Sequence, residues 1–191
     1  MKRVGVLALQ GDFEAHQKAL ARAGAEAMQV RTPADLNQVD GLVIPGGESS
    51  TMLNLLNVTG MKEPLREFGR HKPIFGTCAG AILLASEVSH PVQESLRVLD
   101  MGVERNAYGR QLNSRVVRLA PEGGSLDGRE MEAVFIRAPI IRRLPESAKV
   151  LARYNGDPVL VEDGRHLVAT FHPELTEDTR IHELFLSKIE E

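Results

Sequence analysis

The stretch PIFGTCAGAILLA at residues 73–85 decides the fold class, because it changes from a strand pattern to a helix pattern within two residues. Its first four residues predict a short buried strand, and its last seven, small and apolar throughout, predict a helix. Gly76 and Gly80 flank Cys78 two positions away on each side, and a sharp strand-to-helix turn requires such small neighbours. The stretch therefore indicates a nucleophile elbow with cysteine in place of serine.

Cys78 is the one cysteine of the chain, so an internal disulfide is excluded. The turn would put its sulfur near a helix N-terminus, which favours the thiolate, and the amides after the turn could hold an oxyanion. The alternative is a buried structural cysteine, which is a common fate of a lone thiol. The flanking glycines at the end of a strand favour the catalytic interpretation.

The sequence before the elbow alternates between strand and helix patterns. Strand patterns cover residues 4–9, 25–30 and 40–44, and helix patterns cover residues 13–23, 50–56 and 63–68. We expect Asp12 to cap the first helix and Gly24 to end it. Alternating strands and helices predict parallel pairing with right-handed crossovers, and hence an α/β fold with a three-layer, doubly wound, mostly parallel sheet.

The sequence after the elbow changes character, because its strand patterns lack long helices between them. These patterns cover residues 97–103, 115–119, 132–136, 150–154, 159–162 and 166–171. Asp163-Gly164 is a hairpin turn signal, and residues 176–189 predict a last helix with Thr176 as its N-cap. We therefore predict extra antiparallel strands in the second half. Because no linker or repeat is present, we predict one domain over residues 1–191.

Composition and charge exclude several classes of function. The 191 residues carry a formal net charge of -3 and a pI near 6.1, without the basic excess of a nucleic-acid-binding protein. No apolar run approaches the roughly 20 residues that cross a bilayer, and residues 1–10 fit a strand better than a signal peptide. We therefore expect a cytoplasmic protein. The sequence has no phosphate loop, dinucleotide fingerprint or metal-ligand cluster, so we expect no cofactor, metal, nucleic acid or membrane partner.

A base for Cys78 must be chosen among six histidines, and His172 has the matching context. It follows an apolar run, and Pro173 favours an extended backbone at His172. Residues two apart then project to the same side, so Glu174 can reach one imidazole nitrogen while the other nitrogen faces Cys78. Such a carboxylate fixes the tautomer and supports the imidazolium, which completes a triad. The other histidines lack this context and are interpreted as solvated or structural: His16, His71, His90, His166 and His182.

A second loop, Pro45-Gly46-Gly47-Glu48-Ser49-Ser50, follows the third strand. In a doubly wound sheet it would lie at the same carboxyl edge as Cys78, where ligands bind. Paired glycines let backbone amides approach a reacting carbonyl closely, so we predict an oxyanion hole formed by the amides of Gly47 and Ala79. The alternative is a simple turn in which one of the two serines caps the next helix.

In these segments the chain resembles the class I, triad-type glutamine amidotransferases. More narrowly, it is similar to the family of glutaminase subunits of two-component pyridoxal 5'-phosphate synthases. The resemblance runs nearly end to end, and the elbow and Phe171-His172-Pro173-Glu174-Leu175-Thr176 mark only the superfamily. The narrower signals are Val103-Glu104-Arg105-Asn106 with Gly109-Arg110-Gln111, and Phe135-Ile136-Arg137-Ala138-Pro139, accompanied by Leu9-Gln10-Gly11.

The resemblance implies a flavodoxin-like core and hydrolysis of L-glutamine through a thioester on Cys78, with His172 and Glu174 completing the triad. It also implies contacts with glutamine from Gly47, Glu48, Ser49, Arg105, Ile136 and Arg137. A glutamate suits the α-ammonium group of glutamine and an arginine suits its α-carboxylate, but the sequence does not indicate which arginine. We further hypothesise that Gln10 and the Gly46–Gly47 peptide reorganise on docking to form the oxyanion hole.

The chain has no second catalytic region that could consume ammonia, so a separate synthase should dock over the elbow. The resemblance implies a pyridoxal 5'-phosphate synthase subunit that combines ammonia with ribose 5-phosphate and glyceraldehyde 3-phosphate in a large multimeric complex. The alternatives are a γ-glutamyl hydrolase, a glutaminase subunit of another pathway, and a non-enzymatic sensor of oxidation at the thiol. Sensing would require neither His172 nor Glu174.

Overall fold

The structure is a computed structural model, and it describes residues 1–106 and 114–190. The strands are β1 (Arg3–Leu7), β2 (Glu26–Val30), β3 (Gly41–Ile44), β4 (Ile74–Thr77), β5 (Ala85–Ser89), β6 (Leu99–Glu104), β7 (Ser114–Leu119), β8 (Met131–Ile136), β9 (Ile140–Arg143), β10 (Lys149–Tyr154), β11 (Asp157–Asp163) and β12 (His166–Ala169). The helices are α1 (Phe13–Arg22), α2 (Pro33–Leu36), α3 (Ser49–Val58), α4 (Lys62–His71), α5 (Ala79–Leu84) and α6 (Arg180–Ser187), and a 3-10 turn covers Pro173–Leu175.

The central sheet has seven strands in the order β10-β11-β12-β4-β3-β1-β2. Strands β12, β4, β3, β1 and β2 pair in parallel, whereas β10 and β11 join antiparallel at one side. Two smaller sheets, β5-β6-β9 and β7-β8, come from the second half of the chain. The predicted fold class, a mostly parallel α/β sheet with extra antiparallel strands, is confirmed.

Two hydrophobic cores cover the two faces of the sheet. Successive residues of a strand point to opposite faces, and in β3 Leu42 and Ile44 belong to one core whereas Val43 belongs to the other. Met52 of α3 packs into the first core, and Phe185 of α6 packs into the second. The helices therefore lie on both faces of the sheet, which gives the three layers that the sequence predicts. None of the helices in the described ranges has the length and apolar character to cross a membrane.

The last helix begins later than predicted. Thr176, the predicted N-cap, is extended (φ -121°, ψ 166°) and ends the 3-10 turn, and α6 starts at Arg180. The intervening backbone is held by side chains, because Asp178 accepts hydrogen bonds from the backbone and guanidinium nitrogens of Arg180 at 3.0 Å. Three short elements, α2, β5 and β9, were not predicted at all. That residues 1–191 form one domain stays a prediction.

Candidate active site

Four chain segments meet at the carboxyl edge of the parallel strands. Cys78 follows β4, Gly46 follows β3, and His172 follows β12, with β4 between its two neighbours. Gln10 follows β1 on the far side of β3. Parallel neighbours end at one edge, so the pairing of these strands brings the predicted triad and the predicted oxyanion loop together.

Cys78 occupies a strained turn between β4 and α5. Its backbone angles are φ 49° and ψ -106°, a combination that residues with a side chain rarely adopt. The Cys78 amide donates to the Ala169 carbonyl at 2.9 Å, which ties the elbow to β12. The glycines on both sides are required by close backbone contacts, because a Cβ at Gly80 would lie 2.0 Å from the Ile44 carbonyl oxygen and one at Gly76 would lie 2.7 Å from the Gly80 carbonyl oxygen.

The His172 side chain faces Cys78 across Gly46. A Cβ atom added at Gly46 would lie 2.5 Å from His172 Cε1 and 3.4 Å from Cys78 Cβ, so only glycine fits between the two side chains. The His172 Nδ1 atom lies 2.5 Å from Glu174 Oε1, and both residues are buried. This hydrogen bond leaves Nε2 for the cysteine, which is the arrangement that the His-Pro-Glu spacing predicts.

The buried charges around His172 shift its pKa and that of its neighbours. Burial opposes the imidazolium, but hydrogen bonds with Asp12, Cys78 and Glu174 outweigh this effect and raise the pKa of His172 to about 12. Burial raises the pKa of Glu174, and the hydrogen bond with His172 opposes this effect by favouring the charged carboxylate. His172 therefore carries a proton that it can give to a leaving group.

Asp12 is a second carboxylate at His172, and sequence reasoning missed it. It was predicted to cap α1, but its side chain makes no capping hydrogen bond, and Asp12 Oδ2 lies 3.4 Å from His172 Nδ1. Burial opposes ionisation of Asp12, but hydrogen bonds with His172 and Glu174 outweigh it and lower the pKa of Asp12 well below its usual value. The available signal was its place just after β1, at the same edge as the elbow.

The loop after β3 is tied to the loop after β1. The Gly46 carbonyl accepts from the Asp12 amide at 3.3 Å, and Gln10 Oε1 accepts from the Glu48 amide at 3.0 Å. A Cβ at Gly47 would lie 2.3 Å from Gln10 Oε1, so Gln10 packs directly on this peptide. These contacts fit the hypothesis that Gln10 and the Gly46–Gly47 peptide move together, which stays a prediction.

A cleft of about 730 Å³ opens over the elbow. Its lining includes the predicted oxyanion residues Gly47 and Ala79 beside Cys78 and His172. All six predicted glutamine contacts also line it: Gly47, Glu48, Ser49, Arg105, Ile136 and Arg137. The cleft therefore gathers the predicted nucleophile, base, oxyanion hole and glutamine contacts, whereas Glu174 and Gln10 are not part of its lining. The predicted motif Gly109-Arg110-Gln111 lies outside the described residues.

Glu48, rather than either serine, is the N-cap of α3. Its carboxylate accepts from the Thr51 amide at 2.7 Å and from the Ser50 amide at 3.3 Å, and Arg105 Nη2 lies 3.3 Å from it. Partial burial opposes the charge, but hydrogen bonds from the hydroxyls and backbone amides of Ser50 and Thr51 lower the pKa of Glu48 to about 2. Arg137 differs from Arg105, because within residues 1–106 and 114–190 it has no ion-pair partner, and it holds a positive φ of 47° beside the cleft.

Two histidines interpreted as solvated or structural lie directly behind the triad. His16 of α1 and His182 of α6 are completely buried and are joined by a contact of 3.0 Å between His16 Nδ1 and His182 Nε2. The other imidazole nitrogen of His16 lies 3.3 Å from Glu174 Oε2. Asp12, His16 and Glu174 place three ligand-type atoms within 4.8 Å of one another, because Asp12 and Glu174 both contact His172 and His16 contacts Glu174.

The chain is similar to known proteins in both sequence and structure. The model of the SNO glutamine amidotransferase family matches residues 6–191. A pyridoxal 5'-phosphate synthase subunit PdxT from Solibacter usitatus is 59% identical over 99% of this chain and 100% of its own length. A second PdxT, from Koribacter versatilis, is 54% identical over 98% of this chain and 95% of its own length.

Solved structures agree with this family match. A crystal structure of a glutamine amidotransferase superimposes with a TM-score of 0.89 at 48% identity, covering 97% of this chain and 98% of that one. The structure of PurLQS from Thermotoga maritima has a TM-score of 0.70 at 18% identity, covering 100% of both chains. The second likeness concerns the fold alone.

Proposed function

Because this chain belongs to the SNO glutamine amidotransferase family, we propose that it is the glutaminase subunit of a pyridoxal 5'-phosphate synthase and hydrolyses L-glutamine at Cys78. The observation that carries the catalytic assignment is the placement of Cys78 and the His172–Glu174 pair on either side of Gly46, at one edge of the sheet. A thiol, an imidazole and a carboxylate in this order form the triad that amide hydrolysis through a thioester requires.

The first half-reaction releases ammonia. The Cys78 thiolate attacks the side-chain carbonyl carbon of glutamine, and the carbonyl oxygen becomes a tetrahedral oxyanion. As the oxyanion collapses, the C–N bond breaks and the His172 imidazolium gives its proton to the departing nitrogen, so that ammonia leaves and a γ-glutamyl thioester remains. The carboxylate of Glu174 holds the imidazole through Nδ1 during this transfer.

The second half-reaction restores the enzyme. His172, now neutral, takes a proton from water, and the resulting hydroxide attacks the thioester carbon. The C–S bond then breaks, which gives glutamate and regenerates Cys78. Both half-reactions develop charge on the same carbonyl oxygen, and we assign its stabilisation to the amides of Gly47 and Ala79, which line the cleft next to the sulfur.

The charges of the cleft suit the two ends of an amino acid. Arg137 lacks an ion-pair partner within the described ranges, so we assign it to the α-carboxylate of glutamine. Glu48 keeps its negative charge through the helix cap and faces the same cleft, so we assign it to the α-ammonium group. Arg105 contacts Glu48 and would hold that carboxylate in place.

The ammonia needs an acceptor. PdxT proteins are named as subunits of pyridoxal 5'-phosphate synthase, so we propose that the partner of this chain is the ammonia-accepting synthase subunit. The large multimeric complex and the cytoplasmic location inferred from the sequence remain part of this proposal. Docking over the cleft would retain the ammonia and would act on the loop that Gln10 holds.

The test is ammonia release from glutamine, measured with and without the cognate synthase partner. We expect release in the complex, none from Cys78→Ala, and a loss of about 10²–10⁴-fold in kcat for His172→Gln, because the proton donor and base are removed. His71→Gln is the matched control, since this histidine is exposed and pairs with Glu67. Full kcat in His172→Gln would refute the assignment, and glutamate release from γ-glutamyl peptides but not from glutamine would favour a γ-glutamyl hydrolase.

A further inference from the structure

The back of the triad is a buried hydrogen-bonded cluster, formed by His16, Thr77, Glu174 and His182. His16 Nε2 lies 3.0 Å from Thr77 Oγ1 and 3.3 Å from Glu174 Oε2, and His16 Nδ1 lies 3.0 Å from His182 Nε2. His16, Thr77 and His182 are completely buried, and Glu174 is 5% exposed. His16 therefore contacts both the residue that precedes Cys78 and the carboxylate that holds His172.

The protonation of the two imidazoles follows from their surroundings. Burial lowers the pKa of His16 to about 4 and lowers the pKa of His182 as well, so both rings are neutral and carry one proton each. His182 Nδ1 has no hydrogen-bond partner in the described part of the chain. A buried N–H without an acceptor is rarer than an unused lone pair, so the proton of His182 sits on Nε2 and points to His16 Nδ1.

This arrangement fixes the direction of the His16 proton. Because His16 Nδ1 accepts from His182, the single proton of His16 is on Nε2, which faces Glu174 and Thr77. Glu174 Oε2 has no hydrogen bond of standard geometry within the described residues, and it is the one carboxylate oxygen that His172 leaves unused. In the structure His16 Nε2 is hydrogen-bonded with Thr77 Oγ1 at 3.0 Å, and Glu174 Oε2 lies 3.3 Å from the same nitrogen.

We propose that His16 is a positioning residue that holds the Glu174 carboxylate against His172 by donating its Nε2–H to Glu174 Oε2. This inference rests on the proposed Cys78–His172–Glu174 triad. Glu174 lies in a buried site beside a second carboxylate, Asp12, and both burial and Asp12 disfavour its charged form. A neutral donor behind it favours the ionised carboxylate and leaves Glu174 Oε1 free for His172.

The kinetic test compares three variants in the complex with the synthase partner. His16→Phe fills the space without a donor, His16→Gln restores an N–H at a similar reach, and His71→Gln is the exposed matched control. We expect His16→Phe to lower kcat for ammonia release by about 10-fold to 100-fold with KM for glutamine unchanged, as losses of orienting partners do. His16→Gln should recover most of that loss, and the control should equal the wild type.

A spectroscopic test needs no activity, and its first part uses only the wild-type protein. In ¹⁵N-labelled wild-type protein the imidazole shifts should show His16 protonated on Nε2 alone, and the opposite tautomer would overturn the proposal. The downfield proton of His172 Nδ1, assigned by its loss in His172→Gln, should move in His16→Phe and return in His16→Gln. A purely structural role for His16 would leave this signal in place in every folded variant.

The outcomes separate this inference from the function on which it rests. A wild-type complex that releases no ammonia refutes the proposed function. An active wild-type complex in which folded His16→Phe retains full kcat, with the His172 signal unmoved, refutes the positioning role alone. Equal losses in His16→Phe and His16→Gln also refute it, because the restored donor would then have no effect.

Discussion

Gly46 lies between the Cys78 and His172 side chains, and Gly46→Ala is the sharpest perturbation of the proposed site. The added Cβ would lie 2.5 Å from His172 Cε1, whereas carbon atoms in contact stay about 3.5–4.0 Å apart. The imidazole or the loop must therefore move by about 1 Å. The contact between His172 Nδ1 and Glu174 Oε1, now 2.5 Å, would lengthen beyond the usual limit of about 3.2 Å for such a bond.

A misplacement of this size has a predictable catalytic cost. Shifting a reacting group by about 1 Å lowers the rate by about 10²-fold, which corresponds to about 3 kcal/mol of transition-state stabilisation. We therefore expect kcat of Gly46→Ala to fall by about 100-fold in the complex. The loss in thermal stability should be small by comparison, because the nearest obstacle is a side chain that can turn rather than packed backbone.

The assay is steady-state ammonia release, with thermal unfolding of each variant measured in parallel. Gly128→Ala is the matched control, because a Cβ there meets nothing within 4 Å and the backbone does not require glycine. It should keep wild-type kcat. A Gly46→Ala enzyme with kcat within about threefold of the control would show that His172 does not sit against this peptide during turnover.

Three further predictions follow from the charges of the site. Arg137→Gln should raise KM for glutamine by about 10-fold to 100-fold at nearly constant kcat, because a charge-assisted hydrogen bond contributes about 1.5–3 kcal/mol. An unchanged KM would contradict the assignment of Arg137 to the α-carboxylate. Asp12→Asn should lower the pKa of His172, because Asp12 is one of the groups that raise it, and an imidazole NMR titration that matches the wild type would contradict this. The free energy of unfolding should fall as the pH drops from about 6.5 to about 4, because burial lowers the pKa of His16 and His166 to about 4 and the unfolded chain therefore binds more protons than the folded one in this range. His16 alone should contribute a loss on the order of 3 kcal/mol. Equal free energies of urea unfolding at pH 7 and pH 4 would contradict this prediction.

The parts of the fold that sequence predicted are those set by local pattern. The elbow at Cys78 could be predicted because small residues follow an apolar strand there. The alternation of strands with helices before the elbow predicts a parallel sheet. His172 and Glu174 could be chosen from their two-residue spacing around Pro173, although Glu174 lies in a 3-10 turn and not in the extended segment that the prediction assumed. Each of these inferences uses neighbours within a few positions in the chain.

The parts that sequence missed depend on distant partners. Asp12 has the residue type and place of a helix cap, but its carboxylate lies against His172, and the local sequence signals this only through the place of Asp12 just after β1. His16 lies on an ordinary amphipathic helix, and its buried partner His182 is 166 positions away. Thr176 is a residue type that often caps helices, but here it ends the 3-10 turn that contains Glu174.

The position of β12 in the sheet has a consequence for synthesis on the ribosome. This strand is the last of the twelve described strands to be made, but it lies between β11 and β4, so the elbow strand lacks a neighbour until the C-terminal region emerges. Until then β4 exposes a row of unpaired backbone groups to other nascent chains. His172 and Glu174 follow β12 in the chain, so under the proposed function a nascent chain that still lacks this region cannot release ammonia.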